Sequence, residues 1–191
     1  MSISILYQNN RTGDAFDITS LCTGAKWATK RIGTPASLEL TTFANSDVAW
    51  THGGILALKD DKNGLFYGYV VKVSQNEKDQ VTVTAYDQTW YLKKNKETYV
   101  FANKRADEIL TQIAADFDLV CGAMENTGYV IPSMVEDGQT LFDIALTALD
   151  HTLVHTGKMY VLWDDFGSLR ITDVAKSKLD LFVGDRSIAT G

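Results

Sequence analysis

The stretch Ile55–Tyr86, ILALKDDKNGLFYGYVVKVSQNEKDQVTVTAY, reads as three strands joined by two hairpins. Ile55 to Lys59 runs into Asp60-Asp61-Lys62-Asn63-Gly64, whose Asn-Gly pair supplies the positive φ angles that a tight turn needs. Leu65 to Gln75 continues through Asn76-Glu77-Lys78-Asp79 into Val81 to Tyr86. In that last strand Val81, Val83 and Ala85 alternate with Thr82, Thr84 and Tyr86, so the first set faces a core and the second faces outward. Gly68, inside the longest strand, predicts a bulge or bend that lets the sheet curl.

Working outward toward the N-terminus, the same grammar holds. Ser2 to Tyr7 is a short strand followed by turn signals at Asn9-Asn10 and Gly13-Asp14. Ala25 to Ile32 alternates around Trp27, and Ser37 to Phe43 places Leu38, Leu40 and Thr42 on one face. Residues 1 to about 92 therefore read as strands, at a spacing that suits a small barrel or sandwich.

Downstream the period changes. Ala106, Ile109, Leu110, Ile113, Ala114 and Phe117 trace one face of a helix, with Asn103 as its N-cap. A second helix opens at Thr140, where Thr140 and Asp143 form a cap before Leu141, and Gly157 is its stop. A hairpin follows: Met159 to Trp163, a turn at Asp164-Asp165-Phe166-Gly167, then Leu169 to Thr172. The fold class is α+β, with an N-terminal antiparallel β-barrel over 1–95 and a small mixed α/β domain over 96–191 holding two helices and a hairpin. The chain leaves the barrel at residues 93–97.

Composition narrows the function. At 191 residues with 45% hydrophobic content the chain can fill a core, and its formal net charge of −6 argues against a phosphate-tracking role. The one basic cluster, Lys93, Lys94 and Lys96 beside Tyr91 and Tyr99, reads as a solvated strand end. No segment approaches the roughly 20 apolar residues that span a bilayer, and the first residues lack signal-peptide regions. Cys22 and Cys121 lie far apart and form no CxxC, which suits buried free thiols.

Reactive constellations are sparse. The phosphate-loop, dinucleotide and nucleophile-elbow signatures are all missing from the sequence. His151 and His155 stand i, i+4 on the second helix, so both could reach one metal ion, but Thr152 occupies the place where a zinc peptidase carries glutamate. No third ligand stands at a recognisable spacing, and capping of the helix's last turn is the preferred account of both histidines. Asp164 and Asp165 are adjacent at a hairpin tip and read as turn residues, not a hydrolytic pair. Trp27, Trp50, Trp90 and Trp163 are scattered, which points to packing or interface use and not to a sugar platform. The expectation is no catalytic residue, no metal ligand and no cofactor.

Two stretches carry a resemblance. One runs from Ala85-Tyr86-Asp87-Gln88-Thr89-Trp90-Tyr91-Leu92-Lys93-Lys94-Asn95-Lys96 to Phe101 and into the helix that ends at Phe117. The other is Gly138-Gln139-Thr140-Leu141-Phe142-Asp143-Ile144, continuing through Thr156-Gly157-Lys158-Met159-Tyr160-Val161-Leu162 to Asp164-Asp165-Phe166-Gly167. Both resemble the XkdQ/YqbQ family of prophage tail proteins, itself similar to the baseplate hub proteins of contractile-tailed phages. The resemblance covers most of the chain.

What it implies is architectural. Such hubs resemble a trimeric ring on a central spike, presenting the surface on which a tail tube starts, and a second barrel follows the α/β domain. The implied partners are copies of the full-length chain (a homotrimer), the central spike protein, the tail tube and other baseplate proteins, with neither sequence-specific nucleic acid nor membrane insertion. The implied location is the host cytoplasm during assembly, then the baseplate of a virion or tail-like particle. The run Ile188-Ala189-Thr190-Gly191 shows no second barrel, so the sequence reads as the N-terminal piece of a longer hub. An acidic lining would suit a channel that DNA crosses, and Tyr67, Tyr69 and Trp50 are candidate interface anchors if not buried. From other classes come a tail-associated cell-wall hydrolase or glycan-binding module, and a scaffold of a type VI-like secretion device.

Overall fold

The alternation in Ile55–Tyr86 is realised in a seven-stranded antiparallel sheet. The computed structural model describes residues 3–30, 33–44, 47–61, 63–77 and 79–176. Its first strands are β1 (Ile3–Gln8), β2 (Ala15–Asp17), β3 (Cys22–Ala28), β4 (Ser37–Phe43), β5 (Ile55–Asp60), β6 (Asn63–Gln75) and β7 (Gln80–Tyr86). They are ordered β2-β1-β5-β6-β7-β4-β3, so the hairpins β5–β6 and β6–β7 form the middle and β2 and β3 the two edges. The sheet curls as a half-barrel over a core of Tyr7, Leu38, Leu40, Leu56, Phe66 and Val83. Val81, Val83 and Ala85 are buried, as are Leu38, Leu40 and Thr42, on the faces the sequence assigns to them.

Gly68 does a different job from the one its position suggests. It pairs with Leu56 in regular register, and the irregularities of β6 fall at its pairing with Leu58/Lys59 and at Val70/Lys72 instead. A Cβ at residue 68 would run into the Tyr86 carbonyl oxygen and the Phe66 ring. Glycine is there because two backbones approach closely, not because the strand bends.

Beyond Tyr86 the strand stops and a helix begins, where the sequence reads as a strand end. The Asp87 carboxylate accepts hydrogen bonds from both the backbone N–H and the hydroxyl of Thr89, at 3.0 and 2.5 Å. That local turn leads the chain into α1 (Thr89–Lys94). Then come β8 (Lys96–Arg105), α2 (Ala106–Asp116), β9 (Cys121–Met124), β10 (Val130–Thr140), α3 (Leu141–Thr156), β11 (Tyr160–Asp164) and β12 (Leu169–Asp173). The described residues thus hold three α-helices, one more than expected, and four strands, β2, β8, β9 and β10, that periodicity did not reveal.

β8 and β10 form a two-stranded ribbon in which Phe101 faces Met134 and Val100 faces Val135. Because the ribbon runs as far as the Arg105–Val130 pair, Asn103 lies within a strand, at φ 53°, and is not a helix cap. The cap of α2 is Arg105, whose backbone N–H donates to the Glu108 carboxylate at 2.8 Å. α3 begins and ends where expected: the Thr140 hydroxyl accepts from the Asp143 N–H at 3.1 Å, and Gly157 closes the helix at φ 69°. Helices α2 and α3 bury Ile109, Ile113, Leu141, Ile144 and Ala148 against the ribbon and a three-stranded sheet. In that sheet, ordered β11-β12-β9, the expected hairpin β11–β12 is joined by β9 running parallel to β12.

Candidate functional site

Among the described residues two hydrophobic clusters form, one under the seven-stranded sheet and one around α2 and α3, and the chain passes between them from Ala85 to Leu92. The residues at that passage, Asp87, Gln88 and Thr89, are buried polar groups. Such groups are costly unless bonded, so their partners define what they do. Asp87 accepts from the Ala36 N–H at 3.0 Å as well as from Thr89, tying the entry of β4 to the exit of β7. The Gln88 amide forks across to the second unit. Its oxygen accepts from the Val120 N–H at 3.0 Å, while its nitrogen donates to the Gly167 carbonyl and to the Asp164 carboxylate, the latter at 3.3 Å.

The β11–β12 turn that Gln88 grips also reaches back to the sheet. Asp165 and Ser168 exchange backbone hydrogen bonds, leaving Phe166 and Gly167 as a two-residue loop with φ 48° and 90°. A phenylalanine rarely holds a positive φ, and here the tight hairpin imposes it. The ring lies over Gly64 of β6, where any Cβ would collide with it. It packs against Tyr67 at 5.5 Å, with the Lys59 ammonium also 5.5 Å from its centroid. From Tyr67 an edge-to-face series continues through Tyr69 to Tyr91 and Trp90 of α1, at 6.1, 5.7 and 5.3 Å. The half-buried Tyr67 and Tyr69 are therefore committed to the seam between the units, and Trp50 packs on Tyr7 at 4.4 Å inside the first.

Beside this seam opens a cleft of about 610 Å³. Trp27 from β3 and Trp163 from β11 line it together with Lys30, Tyr67, Asp164 and Asp165. The two indoles are 44% and 41% exposed, so residues scattered in the sequence share one cavity. Asp87 lines its floor; desolvation pushes its carboxyl up to about 6, and burial likewise raises Asp164. Every oxygen of these two carboxyls already accepts from the protein, which fits them for holding the seam and not for proton transfer to a substrate. Asp165 pairs with Arg170 at 2.8 Å.

The other sequence candidates lie apart. His155 Nδ1 sits 2.8 Å from the His151 carbonyl oxygen, and its ring stacks on Tyr129 at 4.1 Å. Among the described residues no group of three or more His, Cys, Asp and Glu could hold a metal ion. Both cysteines are free thiols, but Cys121 is exposed and Cys22 half-buried, because each begins a strand at the margin of its sheet and not inside a core. No described helix is long and apolar enough to cross a membrane. An unexpected surface is the outer face of the ribbon, where the cross-strand partners Val100 and Val135 are 72% and 65% exposed.

Comparison with known proteins gives this architecture a context. Residues 25–191 match the family model described as YQBQ-like. The uncharacterized protein YqbQ of Bacillus subtilis is 42% identical over 121 residues, 62% of this chain and 36% of that protein. XkdQ of the phage-like element PBSX, from the same organism, is 35% identical over 144 residues, 73% of this chain and 44% of its own length. The chain therefore spans less than half the length of either curated relative. Among solved structures, the 43 kDa tail protein of prophage MuSo2 from Shewanella oneidensis shares the fold with a TM-score of 0.70 at 15% identity, over 88% of this chain and 52% of that one. The match along residues 25–191 places the chain in the YQBQ-like family, with the XkdQ/YqbQ type of prophage tail protein.

Proposed function

We propose that the chain is a structural part of a phage tail, and more narrowly a baseplate hub subunit that joins a central spike to the tail tube of a phage or phage-tail-like particle. The observation that carries this reading is the family match, together with a fold shared with a prophage tail protein over 88% of the chain. The seam adds support. Buried amide forks and interlocked rings between two cores suit a part that must hold its shape under load, and they suit no turnover chemistry. In this reading residues 1–95 complete a barrel and 96–191 form the second domain, α1 lying at their border. The longer protein forms a homotrimer, and it acts without enzymatic activity, cofactor or membrane insertion. It assembles in the host cytoplasm and ends in the tail baseplate.

The test is assembly. With the longer protein deleted from its prophage, induced particles should lack baseplates and free tube should accumulate, and antibody against this chain should label the baseplate end of complete tails in electron micrographs. Normal tails without the protein would refute the proposal. A second reading, a glycan-binding module on a tail, draws on Trp27 and Trp163 lining one cleft. Retention of the purified chain on peptidoglycan, lost on Trp163→Ala, would favour it; a flow-through chain would dismiss it.

A further inference from the structure

β11 is an outer strand of the three-stranded sheet, paired along one side with β12. The Val174 N–H donates to the Met159 carbonyl at 2.9 Å, and Asp165 and Ser168 exchange bonds at the other end of the hairpin. In an antiparallel ladder bonded pairs alternate with non-bonded ones. Val161 and Trp163 therefore turn their N–H and C=O groups to β12, while Tyr160, Leu162 and Asp164 turn theirs to the outer edge. Among the described residues no hydrogen bond reaches those outward groups. Neighbouring strands of the unit carry features that discourage an added strand: β9 is four residues long, β10 holds Pro132 and a register shift, and β8 carries Lys96, Lys104 and Arg105. β11, YVLWD, pairs in unbroken register and has neither Lys nor Pro.

Two cavities lie against that edge. The cleft of about 610 Å³ and a smaller apolar cavity of about 50 Å³ beside α3 are both lined by Phe142, Val161 and Leu162. Val161 and Leu162 point to opposite faces of the strand, so a space that both of them line runs along its edge and not over one face. Leu146, Leu149 and Leu153 of α3 wall the smaller cavity; Trp163 and, from the other unit, Trp27 wall the cleft. We propose that β11 is a docking edge for an extended segment of a partner protein, which adds as a further strand and sends alternate side chains into the α3 cavity and toward the two indoles. Unpaired backbone in regular register selects an extended main chain, and the small apolar cavity selects a β-branched side chain. Charge narrows the partner further. Asp150 lines the small cavity and Asp164 the cleft, and Lys30 is the one cation lining either among the described residues. The segment that fits is apolar at alternate positions and basic at its flanks. Nothing in this depends on the hub reading.

The probe is a heptapeptide of alternating valine and threonine with lysine at each end, titrated to about 1 mM into the whole chain and followed by NMR amide exchange. In the free chain the amides of Tyr160, Leu162 and Asp164 should exchange fast, and those of Val161 and Trp163, bonded to β12, slowly. Peptide should slow the outward three about tenfold or more and leave the other two unchanged. N-methylation of the peptide's alternate amides on its bonding side should abolish the effect, and glutamate in place of the lysines should weaken binding about threefold or more. Slow exchange of the outward amides in the free chain at every dilution would show that the chain covers its own edge, and protection that fades on dilution would show that a second copy does. No response to the peptide, or an equal response to its N-methylated form, would leave no strand-adding edge. Each of these four results overturns the proposal, and equal binding of the glutamate form overturns its choice of a basic partner.

Discussion

The two units bury comparable cores by opposite means. In the first, one sheet of hairpin-linked neighbours curls over its own side chains, and each strand answers only to those beside it. In the second, a single helix, α3, packs on α1, α2, the ribbon strands and β11, so that most of the core meets on one element. The sheet distributes its stability along ladders; the second unit concentrates it. The consequence is a difference in where damage spreads, and it places the tolerant unit at the sheet edges and the intolerant one beneath the ribbon.

The sharpest way to break that comparison is to truncate one buried side chain in each. Ile144→Ala removes a fully buried residue from α3, and Leu40→Ala does so from β4. Each should cost about 2–5 kcal/mol. In denaturant titrations, Ile144→Ala should abolish exchange protection throughout the α2–α3 unit while β5 to β7 keep theirs. Loss of both units in one step would show that concentration of contacts has no such meaning here. Next in size comes Gly68→Ala, which sets a methyl group against the Tyr86 carbonyl. Backbone cannot step aside as a side-chain end can, so a loss of about 1–3 kcal/mol is expected by thermal unfolding.

Asp107 brings the chemistry of the second unit into the comparison. Its desolvation acts to raise the carboxyl, but bonds from Arg105 and from the Thr127 backbone and hydroxyl outweigh it and hold the value below 3.8. Its contribution is present above the ordinary value and is lost as pH falls through the lower folded one. The second unit should thus lose stability in strong acid. Asp107→Ala, leaving Thr127 unpaired, should cost about 1–3 kcal/mol at neutral pH, measured by urea titration, and less at low pH. Thr140→Ala, which removes the N-cap of α3, should cost about 1 kcal/mol in the same assay.

The same contrast explains what the sequence disclosed. Strands β4 and β7 were legible because one face is more deeply buried than the other, so alternation survives in Val81–Tyr86 and Ser37–Phe43. The amphipathic α2 and the caps of α3 were legible for the matching reason at helical period. The ribbon was not: β8 reads KETYVFANKR and buries only Phe101, too few apolar residues to set a period. Nor was the seam. Gln88 stands in the quoted motif, yet Val120, Asp164 and Gly167, which give it meaning, lie 32, 76 and 79 residues away. Trp27 and Trp163 share a cleft for the same long-range reason. Tertiary pairing of this kind leaves no local signature in one sequence.

The smallest expected effect on stability carries the largest consequence for the comparison. Val100 and Val135 face each other on the ribbon's outer side and touch neither core, so the double change Val100→Thr, Val135→Thr exchanges one β-branched pair for another of similar shape. Unfolding of the variant should stay within about 0.5 kcal/mol of the parent, as for surface changes generally. Exposed apolar pairs on a flat ribbon are nonetheless what a neighbouring subunit could cover. If the proposed hub role holds and the concentrated unit lends its outer face to assembly, the variant should fold normally and yet reduce recovery of intact tails in sedimentation. Undiminished assembly would assign the contacts elsewhere, to β2 and β3, the edges of the seven-stranded sheet among the described residues, where edge backbone offers the other means of joining subunits.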